Sequence, residues 1–250
     1  MRPAFVPTSN VRRFAEAINK LMKPEDRGAR EAGILLVQGK AGLGKSETGA
    51  WWALQNNAIS LRLKAAGTPH WMLNDLVTEL AEAPPARSCE DLFKQAIASL
   101  AKNPRPIVVD EVEQGLGNLK ILETLRDISD FTEVPLIFLG REFVHAKLKR
   151  HSQFHTRLGA AIEFKPLTQQ DVFLCCAQMA DVEIAPDLAK KIHVHCEGYA
   201  REVVKAIRNV ELVAFKRKLK AMSAADMDGH HLTPDPTELA GRRGEDQVAA

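Results

Sequence analysis

The chain has 250 residues, of which 45% are apolar and 26% are charged, as in an ordinary globular protein. Lys and Arg number 34 against 32 Asp and Glu, which gives a formal net charge of +2. These values exclude collagen-like, mucin-like and wholly disordered chains, and no apolar run approaches the roughly 20 residues that a membrane span needs. The near-neutral balance also lacks the basic excess by which nucleic-acid-binding proteins are usually recognised.

The cysteines and the first residues of the chain both indicate a cytoplasmic protein. Cys89, Cys175, Cys176 and Cys196 show no C-x-x-C spacing, so we expect reduced and mostly buried thiols. The N-terminal segment lacks the apolar core of a secretory signal.

Apolar patterns then alternate along the chain between strands and helices. A helical period runs from Asn10 to Met22, where Val11, Phe14 and Ile18 recur on one face. Short apolar runs typical of strands buried on both faces follow at 34–37, 59–63, 107–109, 135–139 and, more weakly, 161–164. Helical patterns separate them at 47–55, 70–81, 89–100 and 119–128. The alternation predicts an α/β fold with a central, mostly parallel, five-stranded sheet.

The pattern changes after Pro166, and from Gln170 to about Lys220 the periodicity is helical only. The last stretch is rich in Asp, Gly, Pro and Ala. We therefore predict an α/β domain with an N-terminal helix over 1–166, a small helical subdomain over 167–222 and a disordered tail over 223–250.

A phosphate-binding loop follows the first predicted strand. Residues 39–46 fit the pattern G-x-x-x-x-G-K-[ST] and open a predicted helix. The backbone amides of such a loop and helix N-terminus bind phosphate oxygens. Lys45 is expected to reach the β- and γ-phosphates, and the Ser46 hydroxyl to bind Mg²⁺. The predicted ATP-binding residues are Gly39, Lys40, Ala41, Gly42, Leu43, Gly44, Lys45 and Ser46.

Two acidic residues end the third predicted strand. Asp110 at the end of a buried strand is expected to lie near the Mg²⁺, as in a Walker B motif. Glu111 directly after it is expected to polarise the attacking water. The second acid favours hydrolysis over kinase or simple binding chemistry, so the sequence predicts a Mg²⁺-dependent ATPase.

With these motifs the chain resembles the AAA+ ATPases, a P-loop NTPase fold followed by a small helical lid. The run Pro135–Gly140 resembles the strand that ends in the family's sensor 1. That family usually has a small polar residue there, whereas this sequence continues with Arg141, which becomes the sensor candidate.

Two further segments resemble arginine-bearing motifs of the same family. The segment His155–Leu158 resembles the one that holds the arginine finger, so the resemblance implies that Arg157 acts on a neighbouring subunit, with Arg150 as the reserve candidate. Gly198–Arg201 resembles the G-x-x-R of sensor 2, which implies that Arg201 contacts the γ-phosphate in its own subunit.

Within the family, the chain is similar to the transposon target-selection ATPases typified by the B transposition protein of phage Mu. The similarity lies in Phe5-Val6-Pro7, in Asn10–Phe14, in Trp51-Trp52-Ala53 after the loop, and in the short lid. It implies ATP-dependent helical filaments on double-stranded DNA with little sequence preference, activation of a transposase, and release after hydrolysis. It also implies a phage-type protein acting in the cytoplasm of a bacterial host. We interpret Trp51 and Trp52 as packing residues.

Nonspecific DNA binding needs Lys and Arg facing phosphates, and the local charge permits it. Residues 141–165 hold six Lys and Arg against two Glu, 201–220 hold seven against two, and 224–250 hold two against six acids. The net charge is thus a sum of basic segments and an acidic end. The candidate DNA contacts, which follow predicted strands, are Arg62, Lys64, Lys147, Lys149 and Arg150.

Two other functions stay open at this point. One is a regulatory AAA+ ATPase that acts on a protein partner, of the helicase-loader or secretion-accessory type. The other is a nucleotide-binding scaffold with little turnover, against which Lys45, Asp110 and Glu111 argue together.

Overall fold

The structure, a computed structural model, describes residues 1–2, 4–23 and 33–233, apart from the side chain of His155. The chain divides into two compact units, one formed by 12–165 and the other by 1–11 together with 166–250. The division falls inside the first helix, α1 (Ser9–Met22).

A five-stranded sheet forms the centre of the larger unit. Its strands are β1 (Ile34–Gln38), β2 (Ile59–Arg62), β3 (Ile107–Asp110), β4 (Leu136–Gly140) and β5 (Leu158–Glu163). All pairs are parallel, in the order β2-β3-β4-β1-β5, which confirms the predicted fold. The edge strand β5 begins three residues before its prediction, because its residues alternate between half-buried and exposed and leave no continuous apolar run.

Helices cover this sheet, and the longer ones lie where the periodicity predicts them. They are α2 (Lys45–Gln55), α3 (Pro69–Leu80), α4 (Cys89–Lys102) and α5 (Lys120–Thr132), followed by the short α6 (Val144–Leu148) and α7 (Ser152–His155). In α1, Phe14 is buried and packs edge-on against Trp52 of α2, with 6.2 Å between ring centroids. Neither α6, α7 nor a 3₁₀ helix over Val112–Gly117 is predicted from sequence, since such short elements show no period.

The topology brings residues that are distant in sequence to one edge of the sheet. Strands β1, β2, β3 and β4 all run in the same direction, so their carboxyl ends meet there. The phosphate-binding loop, Arg62, Asp110 and Gly140 lie at these ends. Below them, Leu36, Val109 and Phe138 are fully buried and give the edge a rigid base.

The smaller unit is mainly helical. It contains α8 (Gln169–Met179), α9 (Pro186–Cys196) and α10 (Ala200–Arg217), with a 3₁₀ helix over Ala225–Met227. It also contains a parallel pair of two-residue strands, β6 (Glu183–Ile184) and β7 (Ala221–Met222), which the sequence reading misses because of their length.

The N-terminal segment belongs to this smaller unit through Asp171 in the first turn of α8. The Asp171 carboxylate accepts hydrogen bonds from the Ser9 amide and hydroxyl, both at 2.7 Å, and from the Thr168 amide and hydroxyl at 3.0 and 2.9 Å. Burial raises the pKa of Asp171, but these hydrogen bonds outweigh it and hold the pKa below its usual value. Val6 is buried in the apolar core of the smaller unit.

The predicted tail differs from the structure in its first part. Residues 223–233 are described, and Met227 and Leu232 in this stretch are 1% and 5% exposed within the core of the smaller unit. Two apolar residues in a polar stretch thus anchor it, which composition alone does not show. The rest of the predicted tail, 234–250, lies outside the described residues.

Burial agrees with the prediction for three of the four cysteines. Cys175, Cys176 and Cys196 are free and buried in the smaller unit, whereas Cys89 is exposed at the start of α4. Burial raises the pKa of Cys175 and Cys176 to about 12 and that of Cys196 to about 11. Among the described residues, no helix combines the length and the apolar character that crossing a membrane requires.

Candidate nucleotide site

The loop 39–46 connects β1 to α2 and takes its shape from glycines. Gly39, Gly42 and Gly44 have positive φ values of 151°, 83° and 89°. A Cβ atom on Gly39 would lie 2.7 Å from the carbonyl oxygen of Phe164, so only glycine fits this close approach. Gly44 is the residue before the first turn of α2, so the amides at this helix N-terminus border the loop and suit an anion.

Lys45 lies in the first turn of α2 and turns back toward the loop. Its Nζ donates hydrogen bonds to the carbonyl oxygens of Gly39 at 2.7 Å and Lys40 at 2.9 Å. Burial lowers the pKa of Lys45, while the nearby carboxylates of Glu113, Asp110 and Glu142 act in the opposite direction. A half-buried ammonium group held beside a loop of amides is suited to bind phosphate oxygens.

Ser46 and Asp110, each predicted to bind Mg²⁺, lie within hydrogen-bonding distance of each other. The Ser46 hydroxyl donates a hydrogen bond to Oδ1 of Asp110 at 3.1 Å, and the amide of Glu111 donates to the same oxygen at 2.9 Å. A hydroxyl and a carboxylate are the hard oxygen ligands that Mg²⁺ prefers, with substrate phosphates completing the shell. Within the described chain, no three His, Cys, Asp or Glu residues cluster as a metal site of their own.

Glu111 has a left-handed backbone, with φ 56° and ψ 44°. This conformation costs a non-glycine residue on the order of 1 kcal/mol, and such strain tends to occur at functional sites. The turn leaves the Glu111 side chain 42% exposed at the end of β3, with Oε1 3.6 Å from Nε of Arg62. The carboxylate is thus directed into solvent beside Asp110, where a water molecule can reach it.

Arg62, a predicted DNA contact, forms an ion pair with the carboxylates at the end of β3. Its Nη2 donates a hydrogen bond to Oδ2 of Asp110 at 3.1 Å, and this bond is the main reason that the pKa of Arg62 is raised. The cause is strand register, because Arg62 of β2 pairs directly with Asp110 of β3. Arg62 is therefore part of the carboxylate cluster at the sheet edge.

Arg141 follows β4 and contacts a carboxylate that the sequence reading does not identify. Its backbone amide donates to Oε2 of Glu113 at 3.2 Å, and its Nε lies 3.5 Å from Oε1 of the same residue. The Glu113 side chain is only 16% exposed. The only sequence signal for Glu113 is its place in the acidic run Asp110-Glu111-Val112-Glu113, because it belongs to no recognised motif.

Arg157 lies at the amino ends of the strands, opposite the carboxyl ends that carry the phosphate-binding loop. Its carbonyl oxygen accepts a hydrogen bond from the amide of Ile34, the first residue of β1, whereas the phosphate-binding loop follows the last. Its Nε donates to the two carboxylate oxygens of Asp130 at 3.1 and 3.3 Å. The structure thus does not bring Arg157 to the loop of its own subunit.

Arg201 occupies the first turn of α10 in the smaller unit, and its side chain is exposed. Gly198 before it has φ +72°, and a Cβ atom there would lie 2.5 Å from the carbonyl oxygen of Leu167. The glycine of the predicted G-x-x-R is therefore required by packing. The contact of Arg201 with nucleotide stays a prediction.

The other candidate DNA contacts are exposed lysines and an arginine. Lys64 forms an ion pair with Asp75 and lies 4.4 Å from the ring centroid of Trp71. Lys147 lies 4.9 Å from the ring centroid of Phe143. Lys149 and Arg150, like Lys147, are exposed in the segment after β4.

The two tryptophans of α2 differ in their surroundings. Trp52 is buried against α1, as expected of a packing residue, whereas Trp51 is 37% exposed.

Comparison with known proteins places this site in a recognised fold. Residues 27–148 match the family model described as AAA domain. A Staphylococcus aureus protein described as a potential ATP-binding protein is 37% identical over 67 residues, which cover 26% of this chain and 23% of that protein. The match is thus confined to under a quarter of that relative.

Solved structures extend the likeness to most of the chain. The Aeropyrum pernix Orc1 protein, solved in complex with DNA, has a TM-score of 0.62 at 14% identity and covers 91% of this chain and 65% of its own. Cdc6p from Pyrobaculum aerophilum has a TM-score of 0.65 at 16% identity, and the match covers 90% of this chain and 68% of Cdc6p. The Thermotoga maritima RuvB Holliday junction branch migration motor has a TM-score of 0.58 at 19% identity, and the match covers 90% of this chain and 70% of RuvB. The chain therefore spans about two thirds of these structures and has the P-loop AAA+ fold, a five-stranded parallel sheet flanked by helices.

Proposed function

We propose that this protein is a Mg²⁺-dependent ATPase that assembles on double-stranded DNA in a bacterial cytoplasm, presents that DNA as a target and activates a transposase. One observation carries the ATPase part. Lys45, the Ser46–Asp110 pair at 3.1 Å and Glu111 lie together at the carboxyl edge of one parallel sheet. These groups supply a phosphate cradle, metal ligands and a base in one place.

In this proposal each residue has a separate task in hydrolysis. The loop amides and Lys45 hold the β- and γ-phosphates, and Ser46 and Asp110 hold the metal ion, which when bound offsets charge on the phosphate oxygens. Glu111 accepts a proton from the water whose oxygen attacks the γ-phosphorus. The bond from that phosphorus to the bridging oxygen breaks, and ADP and inorganic phosphate leave.

A second copy of the chain completes the site. Arg157 lies at the amino ends of the strands, away from its own loop, so the γ-phosphate that it serves belongs to a neighbouring subunit. A guanidinium from that neighbour would offset charge on the γ-phosphate in the transition state. Arg201 is assigned to the same phosphate within its own subunit, on its G-x-x-R motif.

Two observations support DNA as the partner. The Orc1 structure contains DNA and RuvB is named as a Holliday junction motor. On this chain, Lys147, Lys149 and Arg150 are exposed together after β4 and suit a phosphate backbone without base readout. The filament and transposase parts rest on the N-terminal lead-in and the Trp51-Trp52 segment.

The test is ATP turnover with and without duplex DNA, together with electron microscopy in a nonhydrolysable ATP analogue. We expect DNA-stimulated hydrolysis that falls steeply with salt and nucleotide-dependent filaments on DNA. Lys45→Ala should abolish nucleotide binding and assembly, whereas Lys94→Ala, which removes an exposed lysine paired with Glu90, should change neither. Turnover without DNA dependence would instead favour a regulatory ATPase acting on a protein partner.

A further inference from the structure

The two acidic residues that flank Val112 at the site are directed toward different strands. In the sheet, β3 lies between β2 and β4. Glu111 lies beside Arg62 at the end of β2, whereas Glu113 contacts Arg141 just after β4. The left-handed turn at Glu111 and the 3₁₀ helix that follows it produce this separation.

Glu113 fixes Arg141 at two points. One carboxylate oxygen accepts the backbone amide at 3.2 Å, and the other lies 3.5 Å from Nε. Arg141 is 53% exposed and Glu113 only 16% exposed, so the less mobile partner is the carboxylate. A long arginine side chain otherwise samples many rotamers, and a carboxylate that accepts its backbone amide and forms an ion pair with its guanidinium restricts them.

Glu113 also acts on Lys45 electrostatically and packs against the end of β4. Burial lowers the pKa of Lys45, and Glu113 opposes this lowering more than the other nearby carboxylates do. A Cβ atom on Gly140 would lie 3.2 Å from Oε2 of Glu113 and 2.8 Å from Cγ2 of Val144. The glycine that ends β4 thus leaves room for the Glu113 carboxylate beside Arg141.

We propose that Glu113 is a positioning residue that holds the Arg141 guanidinium at the carboxyl edge of the sheet, where it meets the terminal phosphate of ATP. This role rests on the proposed ATPase function. Glu113 itself does not touch the nucleotide. It orders Arg141 before ATP arrives, so that the arginine contributes to the hydrolysis step rather than to capture of ATP.

A double-mutant cycle tests whether Glu113 acts through Arg141. We expect Glu113→Ala to lower kcat by about tenfold to hundredfold, the scale of a misplaced catalytic group, with KM for ATP changed by less than about twofold. Arg141→Ala should lower kcat at least as much, and the double variant should match Arg141→Ala alone. Glu90→Gln, which removes an exposed carboxylate from its ion pair with Lys94, is the matched control and should behave as the wild type.

A second measurement needs no nucleotide. The Nε–H signal of Arg141, assigned by its loss in Arg141→Lys, should exchange with water several-fold faster in Glu113→Gln than in the wild type or in Glu90→Gln. Glu113→Gln keeps a carbonyl that accepts the Arg141 amide, so it serves if Glu113→Ala does not fold.

Additive losses in the cycle, a raised KM with unchanged kcat, or unchanged Nε–H exchange would each overturn the role of Glu113. Normal turnover in the wild type with unaffected Glu113 variants would refute this role alone. No turnover in the wild type, with or without DNA, would refute the proposed ATPase function and this role with it.

Discussion

In the larger unit, Asp110 ends a central strand and accepts hydrogen bonds from the Ser46 hydroxyl, the Glu111 amide and the Arg62 guanidinium. In the smaller unit, Asp171 lies in the first turn of a helix and accepts four hydrogen bonds from Ser9 and Thr168. Both are carboxylates with little exposure, 15% for the Asp110 side chain and 3% for Asp171.

The difference lies in the partners. Arg62 is 64% exposed, so it can leave Asp110 at little cost, and the serine hydroxyl can turn its lone pairs to a metal ion. The donors to Asp171 are uncharged, and two of them are backbone amides that cannot move without unwinding a helix end. A carboxylate with exchangeable partners suits binding, and one with fixed partners joins two segments of chain.

Glu111→Gln would test the larger unit at its most sensitive point. The amide cannot accept a proton from water, so we expect kcat for ATP to fall by about a hundredfold or more, while nucleotide affinity is retained. Rapid-quench turnover and equilibrium binding of a fluorescent ATP analogue measure the two quantities. Filaments in ATP should then persist, and normal turnover would exclude Glu111 as the base.

Asp171→Asn would test the smaller unit. The amide places a donor against the donors of Ser9 and Thr168, so we expect the free energy of unfolding to fall by about 2 kcal/mol. Urea denaturation measures it. Asp228→Asn, at an exposed ion pair with Lys191, should change stability by less than about 0.5 kcal/mol; an equal loss in both variants would contradict the fixed role of Asp171.

Acid should remove the contribution of the ionised Asp171 carboxylate to the free energy of unfolding in the wild type. The pKa of Asp171 is lowered in the folded protein, so its stabilisation is complete above the unfolded pKa of about 3.9 and is lost as pH falls through the folded value. We expect the stability difference between the wild type and Asp171→Asn to shrink as pH drops below about 4. A difference that stays constant down to the folded pKa would contradict this linkage.

Thiol reactivity separates the two units without changing activity or stability. Cys89 is exposed in the larger unit, whereas burial raises the pKa of Cys175 and Cys176 to about 12 and that of Cys196 to about 11. With Ellman's reagent at pH 8, one thiol should react rapidly and the other three at least about a hundredfold more slowly. Cys89→Ser should remove the rapid phase, and rapid reaction in its absence would show that the smaller unit opens readily.

Much of the fold follows from local sequence. The strands are short apolar runs because a parallel sheet between helices is buried on both faces. The phosphate-binding loop is recognisable from sequence because all its defining residues, the glycines and Lys45, lie within eight consecutive positions. Ser46 and Asp110 meet because the loop that follows β1 and the end of β3 lie at the same carboxyl edge of the parallel sheet.

Other contacts depend on strand order and register, which no local pattern encodes. Arg62 pairs with Asp110 only because β2 is the neighbour of β3 with those two residues aligned, so charge and position after a strand do not reveal this contact. Glu113 reaches Arg141 through a 3₁₀ turn and an adjacent strand, β4. Met227 and Leu232 are too isolated in a polar segment to show a period.

In the proposed assembly, the position of Arg157 sets how catalytic capacity grows with the number of subunits. Its carbonyl bonds the first residue of β1 while the loop follows the last, and five residues of strand span about 13 Å between end Cα atoms. In the proposed assembly, an arginine at this position serves the site of a neighbouring subunit. In an open row of n subunits, n − 1 sites are complete and one end site lacks its arginine, whereas a closed ring has n. Turnover per subunit should therefore rise with row length and start near zero for the monomer, so the rate itself reports how far assembly has gone.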